Sequence, residues 1–181
     1  MRVSLIITTY NRADALLLVL RSIELQTLMP NEVIIADDGS GDDTKAIINA
    51  FQKTSDLNII HSWQKDNGFR AAKSRNKAVA KSNNEYIILI DGDMILHPEF
   101  VQDHLNNAEP GYFIQGTRVL LTENETSNAL KDMSIHFSFF SKGIRNRKNT
   151  IHSNFLSRLL LKKKNYLRGI KTCNMAFFKQ D

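Results

Sequence analysis

The chain has 181 residues, 42% of them hydrophobic and 24% charged, with a formal net charge of +5. That length suits one domain, or one domain and a fragment of a second, and the composition is that of a chain able to bury a core. The apolar runs all fall short of the roughly eighteen residues that a spanning helix needs, and the apolar start gives way to polar residues at Thr8, without the long apolar core and small-residue cleavage site of a signal peptide.

From the first residue, short apolar runs alternate with amphipathic stretches. Val3–Thr8 reads as a buried strand, followed by a helix over Ala13–Leu25 with Asn11 or Asp14 as its cap. A strand over Glu32–Ala36 ends in Asp37-Asp38-Gly39-Ser40, and Asp43–Lys53 forms a helix with Ala46, Ile47, Ala50 and Phe51 on one face. Leu57–Trp63 is a third strand, Arg70–Lys81 a third helix and Tyr86–Ile90 a fourth strand, with a proline-opened helix over Pro98–Asn107. Beyond that, Tyr112–Leu121 reads as one longer strand or a hairpin arm, Thr122–Thr126 as a polar loop, and Ser127–Phe140 and Asn154–Lys164 as helices. Leu167–Phe178 is expected to return to the sheet.

Such alternation predicts an α/β fold, a Rossmann-like, mostly parallel sheet flanked by helices. In such sheets ligands lie beyond the carboxyl ends of the strands, where three polar clusters fall. The most telling is Asp91-Gly92-Asp93, at the end of an apolar strand. Two carboxylates so close repel unless one is protonated or a cation lies between them, and hard oxygen donors select Mg²⁺ or Mn²⁺. The plain alternative is a solvated Asp-Gly turn.

Thr8-Thr9-Tyr10-Asn11-Arg12 brings hydroxyls, a ring able to stack on a planar base, and a cation suited to phosphate; a capping turn is the alternative. Asp38 can accept from a base N–H; the alternative is a plain turn in which Asp37 or Asp38 acts as a cap. Asn67-Gly68 leads into a small-residue helix bearing Lys73 and Arg75; spaced by two, these share no helical face, so one of them at most meets a ligand directly. No G-x-G-x-x-G or Walker loop is present.

Taken together, Val3–Arg12, Ala36–Ser40, Asn67-Gly68 with Arg75-Asn76, and Asp91-Gly92-Asp93 strongly resemble family 2 glycosyltransferases, inverting enzymes with the GT-A fold. Lys171–Lys179 is similar to the subgroup with galactosyl- and N-acetylgalactosaminyltransferase domains of bacterial polysaccharide synthesis. The resemblance implies that Thr8, Tyr10 and Asp38 hold the uracil of a UDP-sugar, with Arg12 and Arg75 nearby. It implies that Asp91 faces the ribose or the metal, and that Asp93 binds a Mn²⁺ or Mg²⁺ ion bridging the two phosphates. Implied partners are a saccharide or lipid-linked acceptor, in surface polysaccharide or lipopolysaccharide synthesis. The family's general base lies after a Gly-Trp-Gly-like segment beyond the Asn-Met-x-Phe motif; here it is expected beyond Asp181, which makes the chain a C-terminally truncated form. Residues 1–121 are then a nucleotide-sugar-binding core and 122–181 a partial acceptor-side region.

Residues 1–140 carry 13 Lys/Arg and 18 Asp/Glu, whereas 141–181 carry 11 Lys/Arg and one acid. Segregated charge of this kind, including Leu159–Lys164, suits peripheral contact with an anionic membrane on its cytoplasmic face, or a solvated helix face; nothing accompanies it that would read nucleic acid. The one cysteine, Cys173, excludes an internal disulfide, fits a reducing cytoplasm and reads as a small buried residue. His97, His104, His136 and His152 show no ligand spacing, and surface or supporting roles are expected. Two other functions compete with the enzyme: a non-catalytic nucleotide-sugar-binding module, and a receiver-like signalling domain. The receiver design wants its acid pair after the first strand, where this chain has Thr8-Thr9-Tyr10.

Overall fold

A computed structural model describes residues 1–153 and 170–181. In chain order the elements are β1 (Val3–Thr9), α1 (Ala13–Glu24), β2 (Glu32–Asp37), α2 (Asp42–Thr54), β3 (Ile59–Trp63), α3 (Ala71–Lys81), β4 (Tyr86–Asp91) and α4 (Phe100–Asn106). They continue with β5 (Ile114–Gln115), β6 (Leu120–Leu121), α5 (Glu123–Asp132), β7 (Ile144–Arg145), a 3₁₀ turn (Arg147–Thr150) and β8 (Asn174–Phe178). Six strands form one sheet in the order β3-β2-β1-β4-β8-β5, and β6 pairs with β7 apart from it.

The continuous apolar runs of β1, β2 and β4 form central strands because both of their faces are covered. Alternate residues enter two cores. Leu5, Ile7, Ile35 and Ile88 meet Leu16, Val19, Leu20 and Ile23 of α1, with Ile48 of α2 and Val101 of α4. Ile6, Ile34, Ile87 and Leu89 point to the other face, where α3 packs through Ala78. Each fully buried aliphatic side chain contributes roughly 1.5–3 kcal/mol, so these strands fix the register strongly.

β1 runs parallel to both β2 and β4, with Thr8 opposite Ala36 on one side and Asp91 on the other. The chain winds outward from β1 through β2 to β3, then crosses back to place β4 on the other side of β1. That reversal opens a crevice at the carboxyl ends of β1 and β4, the usual ligand position in an open α/β sheet. Of the stretch 167–178 expected to return to the sheet, Asn174–Phe178 does so as β8, antiparallel between β4 and β5, while 170–173 are not strand and 167–169 lie outside the described residues.

Several expectations are corrected. Tyr112–Leu121 is neither one strand nor a hairpin arm: β5 and β6 lie in different sheets. The break falls at Gly116, whose N–H donates to Asn174 O (3.0 Å) while the Asn174 side chain leaves no room for a Cβ. Thr122–Thr126 is not a loop, because Thr122 Oγ1 accepts from Glu125 N (3.4 Å) and caps α5. Nor does a helix run over Ser127–Phe140: Met133 turns left-handed (φ 53°), ending α5 at Asp132. At α1 the cap position is Arg12, with no side-chain cap; Asp14 accepts from Ala15 N and Asn11 serves elsewhere. α4 begins at Phe100, two residues later than Pro98. The expected helix over Asn154–Lys164 lies outside the described residues.

Candidate functional site

The tips of β1, β2 and β4 are sewn together by the polar residues just beyond them. Gly92 N donates to Thr8 O at 2.7 Å, and a Cβ on Gly92 would meet that carbonyl at 2.8 Å. Only glycine lets the Asp91-Gly92-Asp93 turn lie this close to β1. Asn11, left-handed at φ 50°, receives Gly41 N on its Oδ1 (3.0 Å), while its own N–H donates to Ser40 Oγ (2.9 Å). It thereby joins the loop after β1 to the loop after β2.

The two acids after β2 divide their tasks. Asp37 is fully buried; its Oδ1 accepts from Gly39 N and Ser40 N, and its Oδ2 lies 2.8 Å from His61 Nε2. Burial alone would raise this carboxyl, but the His61 hydrogen bond and the Ser40 donors outweigh it and hold it below the ordinary aspartate value. Asp37 is therefore the turn acid. Asp38 is buried as well, accepting from Gln64 Nε2 (2.6 Å) and Arg70 N (2.7 Å), so the 64–70 loop folds over the β2 tip. Tyr10, half exposed, donates to Asp66 Oδ2 at 2.9 Å in the same loop. The hydrogen bond to the Asp66 carboxylate, reinforced by its charge, raises the Tyr10 pKa and keeps the phenol protonated. Asn67 and Gly68 lie exposed in this loop beside Asp66, and Gly68 N donates to Asp66 Oδ1.

Of the two candidate cations on α3, Lys73 and Arg75, the latter is the one brought to the crevice. Its Nε donates to Thr8 Oγ1 (2.9 Å) and its Nη2 to Asp91 Oδ1 (3.1 Å). Lys73 is exposed and makes no hydrogen bond or ion pair among the described residues. Asp91, Asp93, Arg12 and Arg118 line one cleft of about 390 Å³, closed on its apolar side by Leu18 of α1 and Leu130 of α5. Arg12 reaches Asp14 at 3.2 Å on the solvent side. Arg118 was not expected at the site: it sits within a run that reads as a strand, and the turn after Gly116 brings it here, hydrogen-bonded to the buried Cys173 Sγ. A more open depression of about 640 Å³ lies between Phe139, Ile144 and Arg147, but no acid lines it.

The cleft's donor set fits a hard divalent cation. Among the described residues, Arg75 occupies Oδ1 of Asp91 and leaves Oδ2 without a partner, while Asp93 is exposed and unpaired. Arginines on the same cleft suit the phosphates that such ions carry.

A mostly parallel α/β sheet whose switch-point crevice ends in an Asp-x-Asp turn has the GT-A architecture of nucleotide-sugar-dependent transferases. The chain belongs to glycosyl transferase family 2, whose family model matches residues 4–175. Over 103 residues it is 37% identical to hyaluronan synthase of Pasteurella multocida, covering 56% of this chain and 10% of that protein. Among solved structures it is similar to S. aureus TarS 1-349 in complex with UDP, with a TM-score of 0.53 and 28% identity over 59% of this chain and 31% of that one. The mannosyltransferase PcManGT from Pyrobaculum calidifontis, in complex with GDP-Man and Mn²⁺, shares the fold at a TM-score of 0.57 and 22% identity, over 70% and 37% of the two chains. The chain thus spans a minor part of each of these proteins. No helix among the described residues is long and apolar enough to cross a membrane.

Proposed function

We propose that the crevice binds a UDP-sugar and that the protein transfers its sugar, with inversion, to a saccharide or lipid-linked acceptor in surface polysaccharide or lipopolysaccharide synthesis. The observation that carries this reading is the convergence of Asp91, Asp93, Arg12 and Arg118 on one cleft at the β1/β4 switch point. The likeness to UDP-bound TarS supports the choice of nucleotide.

In this reading the uracil lies over the β1 and β2 tips, with the Tyr10 ring against it and Thr8 and Asp38 at its polar edge. Asp38 would extend to the base a hydrogen-bond network already pinned by Gln64 and Arg70. Asn67 and Gly68 border the base, Lys73 stands at the rim, and Arg75 orients Asp91. Asp91 and Asp93 would hold Mn²⁺ or Mg²⁺, which offsets charge developing on the departing diphosphate. Arg12 and Arg118 draw that diphosphate into the cleft. The acceptor hydroxyl attacks the anomeric carbon opposite the diphosphate, the bond to the diphosphate oxygen breaks, and the hydroxyl proton passes to a carboxylate base.

The acids that line the cleft among the described residues are Asp91 and Asp93, and in this reading both would hold the cation. That favours, as a second reading, a nucleotide-sugar-binding module without its own base. The exposed cations Lys142, Arg145 and Lys148, near exposed Phe140, support peripheral contact with an anionic membrane. Lys162, Lys163 and Lys164 lie outside the described residues.

Calorimetry with UDP tests the binding claim. Affinity should rise at least tenfold when Mn²⁺ is added, and GDP should bind more weakly. Equal binding with and without the ion would overturn it. A transfer assay with UDP-sugars then separates the two readings, since turnover requires a base and binding does not.

A further inference from the structure

Away from the cleft, three side chains from separate parts of the chain meet on the α4 side of the molecule. His97 lies in the loop between β4 and α4, Asp103 in the first turn of α4, and His152 just after the 3₁₀ turn. One ligand atom from each lies within 4.8 Å of the other two. The imidazoles stack with centroids 4.4 Å apart and planes inclined by 17°. His152 Nε2 lies 2.8 Å from Asp103 Oδ2, and its Nδ1 lies 3.9 Å from Glu99 Oε1. None of these residues lines the cleft that holds Asp91 and Asp93.

We propose that His97, Asp103 and His152 form a second metal site, of the zinc class, that clasps the segment after β7 to α4. Two imidazole nitrogens and one carboxylate oxygen suit a borderline ion such as Zn²⁺, whereas the all-oxygen pair at the β4 tip suits Mg²⁺ or Mn²⁺. The backbone bearing the first two ligands is already fixed. Gln26 Nε2 donates to His97 O (2.8 Å), Thr27 N to Pro98 O (2.8 Å), and Val101 N to Gln26 Oε1 (3.1 Å). Asp103 N donates to Glu99 O at 2.8 Å.

Tetrahedral coordination at zinc distances sets ligand atoms about 3.3 Å apart, so the three groups must close and the rings must swing out of their stack. Both histidines are surface residues, and closure on an ion would exchange the His152–Asp103 contact for coordination. A lone ion pair between His152 and the two acids is the competing account of the same contacts. The proposal does not depend on the transferase reading, because it uses none of the cleft residues.

The test is a titration of the metal-free full chain with Zn²⁺ against a chromogenic chelator, accompanied by thermal melts. The parent should take up zinc at a site whose affinity falls at least tenfold in His97→Gln and in His152→Gln but not in Asp93→Asn. Zinc should raise the melting temperature of the parent and not that of His152→Gln. Absence of uptake, equal affinity in the histidine variants, or loss confined to Asp93→Asn would overturn the site. Circular dichroism of the exposed-residue variants shows whether they are folded, and Asp103→Asn supplies an independent third removal.

Discussion

Asp93→Ala is expected to weaken Mn²⁺-dependent UDP binding by roughly a hundredfold, the equivalent of about 2.7 kcal/mol, and to leave the fold intact. Asp93 is exposed, and among the described residues it has no hydrogen bond or ion pair to lose, so its removal should change stability by no more than about 0.5 kcal/mol. Asp91 makes a poorer probe, because Arg75 donates to it and also to Thr8, and its loss would leave Arg75 Nη2 without this acceptor beside the site. Calorimetry of UDP in excess Mn²⁺, with a melt on the same sample, checks both halves. A parent-like affinity in Asp93→Ala would remove the cation from the β4 tip.

Acid should destabilise this protein well before its carboxylates titrate, and His104 is the reason. It is fully enclosed, and burial pushes its imidazole down to about 4, a drop that the Asn174 hydrogen bond and the Asp103 charge only partly oppose. Asn174 Nδ2 donates to Thr117 O, so its Oδ1 faces His104 Nε2 at 2.9 Å and the proton of the neutral ring sits on Nε2. Nδ1 has no partner, and protonation would place a charge and an unanswered N–H there. Between the ordinary histidine value of 6.5 and about 4, the unfolded chain therefore binds more protons than the folded one. Stability must rise with pH across that window, by a total on the order of 3 kcal/mol. His97, also lowered, acts in the same direction.

Asp37 acts in a separate, lower window. Its folded pKa lies below the ordinary 3.8, so its contribution is present above that value and is lost as pH falls further. Urea unfolding at a series of pH values should show the first loss between pH 6.5 and about 4, and His104→Gln should flatten it. A flat profile over that range in the parent would show that His104 is not enclosed.

Much of this architecture is legible in the sequence up to Asn106. β1, β2 and β4 announce themselves as unbroken apolar runs, and helices α1 to α3 by helical periodicity, because burial on both faces of a sheet leaves a composition that local pattern can find. Legibility falls away after Tyr112 for identifiable reasons. The break at Gly116 is set by the approach of Asn174, 58 residues distant in sequence, which no local window reports. The start of α5 was legible: Thr122-Glu123-Asn124-Glu125 is a Ser/Thr-x-x-Glu capping pattern that outweighs the polar composition suggesting a loop. Met133 ends that helix in a conformation its side chain does not advertise.

The site divides in the same way. Thr8, Asp38, Asp91 and Asp93 stand out because each lies at or just beyond the carboxyl end of a strand, the edge where ligands bind in such sheets, and Arg75 because it lies near the start of α3. Arg118 and the His97–Asp103–His152 cluster do not, because their positions depend on segments that come together only in three dimensions. Asp38, expected at the base, is buried with one carboxylate oxygen engaged by Gln64 and the other by Arg70 N, an engagement by its own chain that no local pattern reports.

The most direct measurement is a crystal structure of the protein with UDP and Mn²⁺. The account predicts an ion against Asp93 and the free oxygen of Asp91, the diphosphate between that ion and Arg12, and the uracil beside Tyr10. A diphosphate held elsewhere, as in the depression beside Phe139 and Arg147, would contradict it.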